Sequence, residues 1–483
     1  MPPEYQNYVA GSWSDASTSE TQTVVNPADT TDVVGEIQQS SYEDAQRAIN
    51  AAQDAQADWA ALPGPKRGRI LRSTATRMAE RKEELAETLT REEGKPLSEA
   101  TGEVQRAIDI FYYYAEKARD YTGSRRQSSS RNADLYTIHE PIGVAGLITP
   151  WNYPIAIPAW KIAPALATGN TIVFKPAGPA PMVSRKVVEC LDEVGLPDGV
   201  LNYVTGPGSE VGNEIVTNDG VDAVSFTGSA AVGNAVYQDA TEGQKRVQCE
   251  MGGKNPTVVA PTADLDVAVD AVAGGAFGGT GQACTACSRA IVHTDVHDEF
   301  LDRVVSAAED LEVGPGLEDY NVGPHVNESE LESTLDYVEV GQTEGATLET
   351  GGEKLEGARF ENGHFVSPAV FSGVESDMRI AQEEIFGPVL SVIEIESLRE
   401  AVEVANDVDY GLSASIVTED HSEAERFVRD VEAGVAKVNE KTTGLELHAP
   451  FGGYKQSSTE TWREQGEAGL AFYTITKTVY DNF

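Results

Sequence analysis

The feature that most limits the fold of this chain is a series of short apolar runs separated by segments of helix length. The four clearest runs lie in the middle of the sequence, at 144–148, 171–174, 200–204 and 223–226. Strands of a parallel sheet have this character because helices cover both faces of the sheet and connect one strand to the next. The same alternation returns after residue 255, with strands expected at 257–260, 290–292 and 389–395. The sequence therefore predicts an α/β protein with two Rossmann-like parallel-sheet domains.

The two ends of the chain have a different texture. Residues 1–40 are polar with short alternating pieces, which is typical of edge strands and of a hairpin-like lead-in. Apolar residues then recur at helical spacing and predict helices at about 42–62, 65–93 and 98–120. The C-terminal stretch 472–480 alternates again and predicts an exposed edge strand, of a kind that often pairs with another subunit.

Length and composition predict a soluble protein of the size of an enzyme. The 483 residues predict two or three domains, because single cores seldom grow beyond about 250 to 300 residues. The most apolar region, 143–160, is interrupted by polar residues and prolines, so we expect no membrane span. Residues 1–5 lack the basic and apolar segments of a signal peptide, which favours a cytoplasmic location.

Acidic residues are in large excess and are spread along the whole chain. Asp and Glu number 78 against 36 Lys and Arg, which gives a net charge of −42. Nucleic acid is not an expected partner, because binding it requires basic surface. Self-repulsion of this size weakens a compact state in dilute buffer, whereas molar salt shortens the Debye length to about 3 Å and screens it. The charge therefore indicates a salt-loving source.

The four cysteines are too few and too scattered for a disulfide scaffold. Cys284 and Cys287 form a CxxC pair, but no second pair or histidine cluster completes a metal site, so no metal is expected. Cys284 lies in a loop of small and polar residues, where backbone N–H groups can approach a sulfur atom. We interpret it as a covalent nucleophile. A buried apolar cysteine and a redox dithiol are the alternatives, and Cys287 is expected to pack within the same loop.

Polar and glycine-rich segments follow each strand of the first predicted sheet. In such sheets ligands bind outside the carboxyl ends of the strands. The segment 228–233 also opens a helix, whose free N–H groups can hold a pyrophosphate, although it lacks the GxGxxG fingerprint. Together these ends predict a dinucleotide site. The residues expected to contact the dinucleotide at these ends are Thr149, Pro150, Trp151, Lys175, Gly208, Gly228, Ser229 and Val232. Glu384 and Phe386, just before the strand expected at 389–395, are candidates to hold the nicotinamide ribose and to support the ring, and a structural turn is the alternative.

Two further residues supply what a thiolate needs when it attacks a carbonyl. Asn152 lies between prolines at a strand end, where its amide N–H can join the N–H of Cys284 as an oxyanion hole; a simple turn asparagine is the alternative. Glu250 ends a strand beside two glycines and can activate water, since burial raises a carboxyl pKa toward the useful range. Its alternative is an ion pair with Lys254.

These motifs, in this order, closely resemble the NAD(P)-dependent aldehyde dehydrogenase superfamily over essentially the whole chain. The resemblance implies Cys284 as nucleophile, Glu250 as the base for thioester hydrolysis and Asn152 as oxyanion donor. It also implies an aldehyde substrate and cofactor contacts from Lys175, Glu384 and Phe386. The segments that carry it are 150–154, 226–229, 250–254, 281–284, 384–388 and 450–453.

The same resemblance implies a domain plan and an assembly. A dinucleotide-binding domain is expected at 1–118 and 141–253, and a catalytic domain at 254–452. A small β oligomerisation element is expected at 119–140 and 453–483. The implied assembly is a homodimer or homotetramer.

Within the family, the tail is similar to α-ketoglutaric semialdehyde (2,5-dioxopentanoate) dehydrogenases of pentose and sugar-acid breakdown. The similarity rests on 447–455, 463–466 and 472–474. Succinic semialdehyde and non-phosphorylating glyceraldehyde 3-phosphate dehydrogenases remain alternatives, as do a CoA-acylating enzyme and a catalytically silent structural protein on this fold. No motif indicates which cation would receive a substrate carboxylate.

One departure from the family pattern concerns the cofactor. Three residues after Lys175 stands Gly178, where NAD-preferring relatives carry a glutamate that bonds the adenosine ribose. A glutamate would repel a 2′-phosphate and glycine does not. The sequence therefore predicts NADP as the preferred cofactor, with NAD as the alternative.

Overall fold

The computed structural model describes residues 3–482. The chain begins with five strands and four helices. The strands are β1 (Glu4–Tyr5), β2 (Asn7–Val9), β3 (Ser12–Ser14), β4 (Thr21–Asn26) and β5 (Asp29–Gln38), and the helices are α1 (Tyr42–Ala61), α2 (Gly64–Glu80), α3 (Lys82–Glu93) and α4 (Leu97–Asp120).

The predicted single helix at 65–93 is two helices that meet at Arg81. The backbone of Arg81 leaves the helical region, with φ −104° and ψ 15°. Its guanidinium donates to Glu84 at 2.9 Å and to Glu189 at 2.8 Å. The break therefore places the Arg81 guanidinium between α3 and the later helix that carries Glu189. Helical periodicity in the sequence cannot predict such a long-range contact.

A seven-stranded sheet follows the helices and contains the strands predicted first. Five of its strands are parallel, and the hairpin β2–β3 adds to one edge in antiparallel pairing, giving the order β12-β11-β8-β9-β10-β2-β3. The elements of this region are β6 (Arg125–Arg126), β7 (Asp134–Pro141), β8 (Val144–Ile148), α5 (Ala156–Thr168), β9 (Thr171–Lys175), α6 (Met182–Glu193), β10 (Leu201–Tyr203), α7 (Asn213–Thr217), β11 (Ala223–Thr227), α8 (Ala230–Glu242) and β12 (Arg246–Glu250).

A second seven-stranded sheet has the order β15-β16-β17-β14-β13-β19-β20 and is parallel except for its edge strand β15. Its elements are β13 (Asn255–Val259), α9 (Leu265–Ala276), β14 (Cys287–His293), α10 (Thr294–Glu309), α11 (Glu328–Glu344), β15 (Thr347–Thr350), β16 (Ala369–Ser372), α12 (Arg379–Gln382), β17 (Val389–Ile395), α13 (Leu398–Asn406), β18 (Tyr410–Gly411), β19 (Ser413–Val417), α14 (His421–Asp430) and β20 (Val435–Val438).

The tail completes the structure with β21 (Tyr454–Lys455), α15 (Gly466–Phe472) and β22 (Thr474–Asp481). The predicted edge strand is confirmed: β22 pairs antiparallel with β7 along eight residues, and β6 lies on the other side of β7. Ile475 and Tyr480 of β22 are exposed. Within residues 3–482, no helix is both long and apolar enough to cross a membrane.

The two large sheets are joined by a very short connection. β12 ends at Glu250 and β13 begins at Asn255, so residues 251–254 carry the chain from one sheet to the other. Apolar cores fill the space beside each sheet, and every residue of α5 is buried between the first sheet and α4. The carboxyl end of β12 and the amino end of β13 therefore meet, which brings the predicted chemical groups together.

Candidate active site

The loop that carries Cys284 is held in an unusual backbone conformation. Gly279, Thr280 and Gly281 have positive φ angles of 58°, 60° and 68°. A Cβ atom on Gly281 would lie 2.2 Å from the carbonyl oxygen of Gly387, so only glycine fits there. Beyond the loop, the Asn255 amide donates to the carbonyl oxygens of Cys284 and Ala286, both at 2.8 Å. Cys284 is thus fixed to the first residue of β13.

Cys284 lines a cavity of about 450 Å³ and is half-buried there. Burial raises the pKa of its thiol to about 12, and the carboxylates of Glu384 and Glu250 raise it further in the same direction. The resting group is therefore the thiol, and reaction requires that its proton be removed.

The sequence predicted that Cys287 packs within this loop, and that prediction is wrong. Cys287 is the first residue of β14. Its sulfur is buried and donates to the Thr257 hydroxyl at 3.2 Å. Pairing of β14 with β13 draws Cys287 into the sheet, where residue 287 lies opposite Asn255.

Asn152 is buried beside the Cys284 loop. Its Nδ2 donates to the carbonyl oxygen of Gln282 at 2.9 Å, which leaves the second N–H of the amide unused. The backbone carbonyl of Asn152 accepts from Lys95 Nζ at 2.7 Å. The side-chain amide of Asn152 is therefore bonded to the loop two residues before Cys284.

Behind Asn152 lies a buried ionic network that sequence reasoning missed. Lys95 Nζ also donates to Glu103 at 2.6 Å, and Glu103 accepts the backbone N–H groups of Ile155 and Ala156 at 3.1 Å. The network ties α4 to the turn that carries Asn152. Lys95 and Asn152 are 57 residues apart along the chain, and no local pattern connects them.

Glu250 is almost completely buried at the end of β12. Its carboxylate accepts the N–H of Gly453 and the hydroxyl of Ser458, both at 3.0 Å. Burial raises the pKa of Glu250 well above its usual value, and the nearby charge of Glu464 raises it further. Glu464 itself pairs with the buried Lys161. Glu250 therefore holds a proton more tightly than an exposed glutamate does.

The alternative interpretation of Glu250, an ion pair with Lys254, is wrong. Lys254 Nζ is buried without a hydrogen-bond partner within residues 3–482. Burial lowers the pKa of Lys254 to about 7, and the charge of Arg289 lowers it in the same direction.

Glu384 and Phe386 approach this region from the second sheet. Glu384 accepts the N–H of Gly253 at 2.9 Å, an approach that requires glycine at 252, where a Cβ would lie 2.0 Å from the carboxylate. Burial raises the pKa of Glu384 to about 7. Phe386 has a φ of 60° and meets Trp151 edge-on, with ring centroids 5.4 Å apart. Residues from both sheets thus face one another across the junction.

The remaining predicted dinucleotide contacts lie at the carboxyl edge of the first sheet. Thr149, Pro150 and Trp151 form the turn after β8, and Lys175 ends β9. Gly208 begins a single π-helical turn, and space around it is open. Gly228 and Ser229 precede α8, whose first turn carries Val232, a residue that is 52% exposed.

Known proteins show which family this chain belongs to. A family model described as the aldehyde dehydrogenase family matches residues 13–479. The chain belongs to the aldehyde dehydrogenase family. It is therefore an oxidoreductase that acts on an aldehyde with a nicotinamide cofactor, on the aldehyde dehydrogenase fold.

Similar proteins span the whole chain. It is 61% identical over 483 residues to the alpha-ketoglutarate semialdehyde dehydrogenase of the halophile Haloferax volcanii, covering 100% of both chains. It is 47% identical over 477 residues to the alpha-ketoglutaric semialdehyde dehydrogenase of Bacillus subtilis, covering 99% of this chain and 98% of that one. The betaine aldehyde dehydrogenase of Staphylococcus aureus, solved in complex with NAD+, has a TM-score of 0.96 at 34% identity, covering 99% of this chain and 94% of that chain.

The polar groups of this aldehyde dehydrogenase fit a dinucleotide. The hydroxyls of Thr149 and Thr227 are buried at the carboxyl ends of β8 and β11 without partners among residues 3–482. The helix that follows Ser229 has no side-chain cap, so its first N–H groups are free. Burial lowers the pKa of Lys175 to about 8, and its Nζ reaches only the Pro176 carbonyl, at 3.2 Å. Unused donors thus face the region where a nicotinamide dinucleotide would lie.

Proposed function

We propose that this aldehyde dehydrogenase oxidises 2,5-dioxopentanoate, the semialdehyde of α-ketoglutarate, to the dicarboxylate. The full-length identity to enzymes named for this substrate supports the choice. The structural observation that carries the proposal is the meeting of Cys284, Asn152 and Glu250 where the two sheets join. Such a set supports acyl chemistry through a thioester, because it supplies a nucleophile, an oxyanion donor and a base.

In the first step, the Cys284 thiol gives its proton to solvent water in the cavity, and the resulting thiolate adds to the aldehyde carbon. The free N–H of the Asn152 amide and the backbone N–H of Cys284 hold the oxygen that becomes negative. Removing one such donor costs about 3 to 4 kcal/mol in comparable enzymes. The carbon–sulfur bond of this thiohemiacetal keeps the former aldehyde carbon fixed at Cys284.

A nicotinamide cofactor, when bound, supplies the hydride acceptor for that carbon. Glu384 would hold the nicotinamide ribose, and Phe386 would support the ring from behind. Lys175 would donate to the adenosine ribose, while the free N–H groups before Val232 would hold the pyrophosphate.

In the last step, Glu250 removes a proton from water, which then attacks the thioester and releases the carboxylate. A carboxylate in water is too weak a base for this task, and the raised pKa of Glu250 moves it toward the effective range. The Glu250 carboxylate must first break its hydrogen bonds with the Gly453 N–H and the Ser458 hydroxyl, so rotation of its side chain is part of the step.

Two substitutions separate these steps. The Cys284→Ser variant is expected to lose dehydrogenase activity by at least about a thousandfold, because the alkoxide is far harder to form than a thiolate. The Glu250→Gln variant is expected to give one burst of reduced cofactor per active site and then stall. Stopped-flow absorbance measures both. Turnover of Cys284→Ser near the wild-type rate would end the proposal.

We also propose that NADP is the preferred cofactor. Position 178 carries no side chain, and a Cβ there would lie 3.3 Å from the uncharged side-chain amide of Gln22. Neither residue 178 nor its neighbour Gln22 therefore presents a carboxylate that would repel a 2′-phosphate. The Gly178→Glu variant is expected to lower kcat/KM for NADP by about 10- to 100-fold through repulsion of the 2′-phosphate. A wild-type kcat/KM ratio that favours NAD more than tenfold would contradict the preference.

The assembly is proposed to be a homodimer or homotetramer formed through β22. Its outer edge has unpaired backbone groups, and an exposed strand of eight residues otherwise invites aggregation. The domain boundaries at 118, 140, 253 and 452 stay predictions. Sedimentation of the intact chain, with a variant lacking residues 475–483 as comparison, tests the assembly.

A further inference from the structure

Arg106 is a cation beside the Cys284 cavity. It is half-buried on α4, and its guanidinium donates to the carbonyl of Leu445 and to Gln465 Oε1, the latter at 2.9 Å. Burial lowers the pKa of Arg106, and the charges of Glu446, Glu103 and Asp109 oppose that shift in part. Within residues 3–482 none of these carboxylates lies within salt-bridge distance of its guanidinium. Three of its five N–H donors remain for another ligand.

The cavity that connects Arg106 with Cys284 has an apolar wall. Ile157, Trp160 and Phe451 line it together with Tyr153. This wall suits methylene groups between two polar ends of a ligand. Trp160 is 7% exposed, and its indole N–H has no partner within residues 3–482. The Arg106 guanidinium carbon lies 6.0 Å from the Trp160 ring centroid.

Further cations lie where this cavity meets a second one of about 630 Å³, which Arg106 also lines. Lys437 and Lys441 belong to this second cavity, as do Glu440 and Glu446. Lys437 donates to the carbonyl of Thr443 at 2.6 Å, while Glu440 lies 3.8 Å from it. Glu99 and Glu103 line the first cavity as well. The two cavities thus carry cations in about equal number to their carboxylates, unlike the acidic protein as a whole, which allows an anion to approach.

We propose that Arg106 binds the remote carboxylate of the substrate, with the Trp160 indole N–H as a second donor. The planar guanidinium matches a carboxylate in two parallel hydrogen bonds. The aldehyde end then reaches Cys284 while Ile157 and Phe451 cover the methylene groups. The inference rests on the proposed function for its substrate, and it makes Arg106 the residue that selects acidic aldehydes over neutral ones.

The test compares Arg106→Met and Arg106→Lys with Arg119→Met, a control on the same helix whose side chain is exposed and pairs only weakly with Glu116 at 3.8 Å. Each variant is assayed in molar KCl with 2,5-dioxopentanoate, succinic semialdehyde and the neutral aldehyde pentanal. Arg106→Met is expected to lower the kcat/KM ratio of acidic to neutral aldehyde by about 10- to 100-fold, mainly through KM. Arg106→Lys is expected to fall between, and Arg119→Met to match wild type.

A binding measurement covers the case in which Arg106→Met loses stability. Thermal shift with the dicarboxylate glutarate is expected to stabilise wild type and Arg119→Met, and to stabilise Arg106→Lys and Trp160→Phe less. An unchanged acidic-to-neutral ratio in Arg106→Met, or an unchanged glutarate shift in Arg106→Lys, would overturn the assignment.

Failure of the proposed substrate gives a different result. If wild type prefers pentanal to both acidic aldehydes, the proposed function fails and Arg106 has no carboxylate to select. If wild type prefers 2,5-dioxopentanoate and Arg106→Met keeps that preference, only the role of Arg106 fails. Preference for glyceraldehyde 3-phosphate that is lost in Arg106→Met would replace the carboxylate by a phosphate and also overturn the assignment.

Discussion

At the scale of single residues, the position of Asn152, the proposed oxyanion donor, depends on Lys95. Its ammonium bridges the Glu103 carboxylate and the Asn152 carbonyl, and it lies 4.4 Å from the ring centroid of Tyr153. Glu93 lies 3.8 Å away on its other side. Lys95 is thus a positioning residue: it touches Asn152 and the turn rather than the reacting atoms.

Replacing Lys95 with Met is expected to destabilise the protein by about 3 to 5 kcal/mol, because a buried carboxylate loses its counter-charge. The kcat is also expected to fall by about 10-fold or more as Asn152 loses its fixed position. Denaturant unfolding and steady-state kinetics measure the two effects. Lys82→Met, which removes only a bond to Gln105 at 2.9 Å, is the matched control.

The conservative variant distinguishes positioning from general stability. Lys95→Arg keeps the charge but not the geometry, so it is expected to recover stability more than kcat. Equal recovery of both would indicate that Lys95 acts only on folding.

At the scale of elements, buried carboxylates join helices in place of apolar contacts. Glu92, near the end of α3, accepts the backbone N–H groups of Met182 and Val183 at 2.6 and 2.8 Å and so caps α6. Burial raises the pKa of Glu92 to about 8. Glu92 on α3 and the helix α6 that it caps are about 90 residues apart in sequence. The ionisation state of Glu92 therefore affects how the two helices are joined.

The raised pKa gives this joint a pH dependence with a definite sign. The folded state holds the Glu92 proton more tightly than the unfolded chain, so its contribution to stability is complete below about pH 4.5 and is lost as pH rises through about 8. Glu92→Gln is expected to lose less stability than wild type between pH 6 and pH 9, by at most about 3 kcal/mol. The melting temperature as a function of pH measures this, with the exposed Glu83→Gln as control; parallel curves for wild type and Glu92→Gln would contradict it.

The same scale shows what the sequence can and cannot predict. The strands β8, β9 and β11 were predictable because each is a short, mostly apolar run. The Cys284 loop was predictable because its glycines and the cysteine are adjacent in sequence. The break at Arg81 was not, because the partner that draws it is Glu189, 108 residues away. Lys95, Glu103, Lys161 and Glu464 were missed for the same reason, since a buried ion pair leaves no local pattern.

At the scale of the whole molecule, the net charge of −42 makes solvent ions part of its stability. Many acidic side chains are exposed without a basic partner, since acidic residues outnumber basic ones by more than two to one. Molar salt reduces the Debye length to about 3 Å, so repulsion between these groups is screened.

We expect the melting temperature and the activity to rise between 0.1 M and 2 M KCl. Differential scanning fluorimetry and initial rates measure both, and sucrose at matched viscosity serves as control. A protein that is as stable and active in dilute buffer as in molar KCl would contradict the interpretation of its charge.

The short connection between β12 and β13 has a consequence for how such enzymes diversify. Four residues, 251–254, lie between Glu250 and Asn255, the residue that fixes Cys284. If Glu250 is the base and Cys284 the nucleophile, as proposed, an insertion in this connection would separate them, so we expect it to tolerate almost no change in length. Arg106 and the 435–451 segment lie on other parts of the chain. Under the two proposals, mutation at Arg106 would change which aldehyde is accepted while the groups that carry out the reaction stay in place.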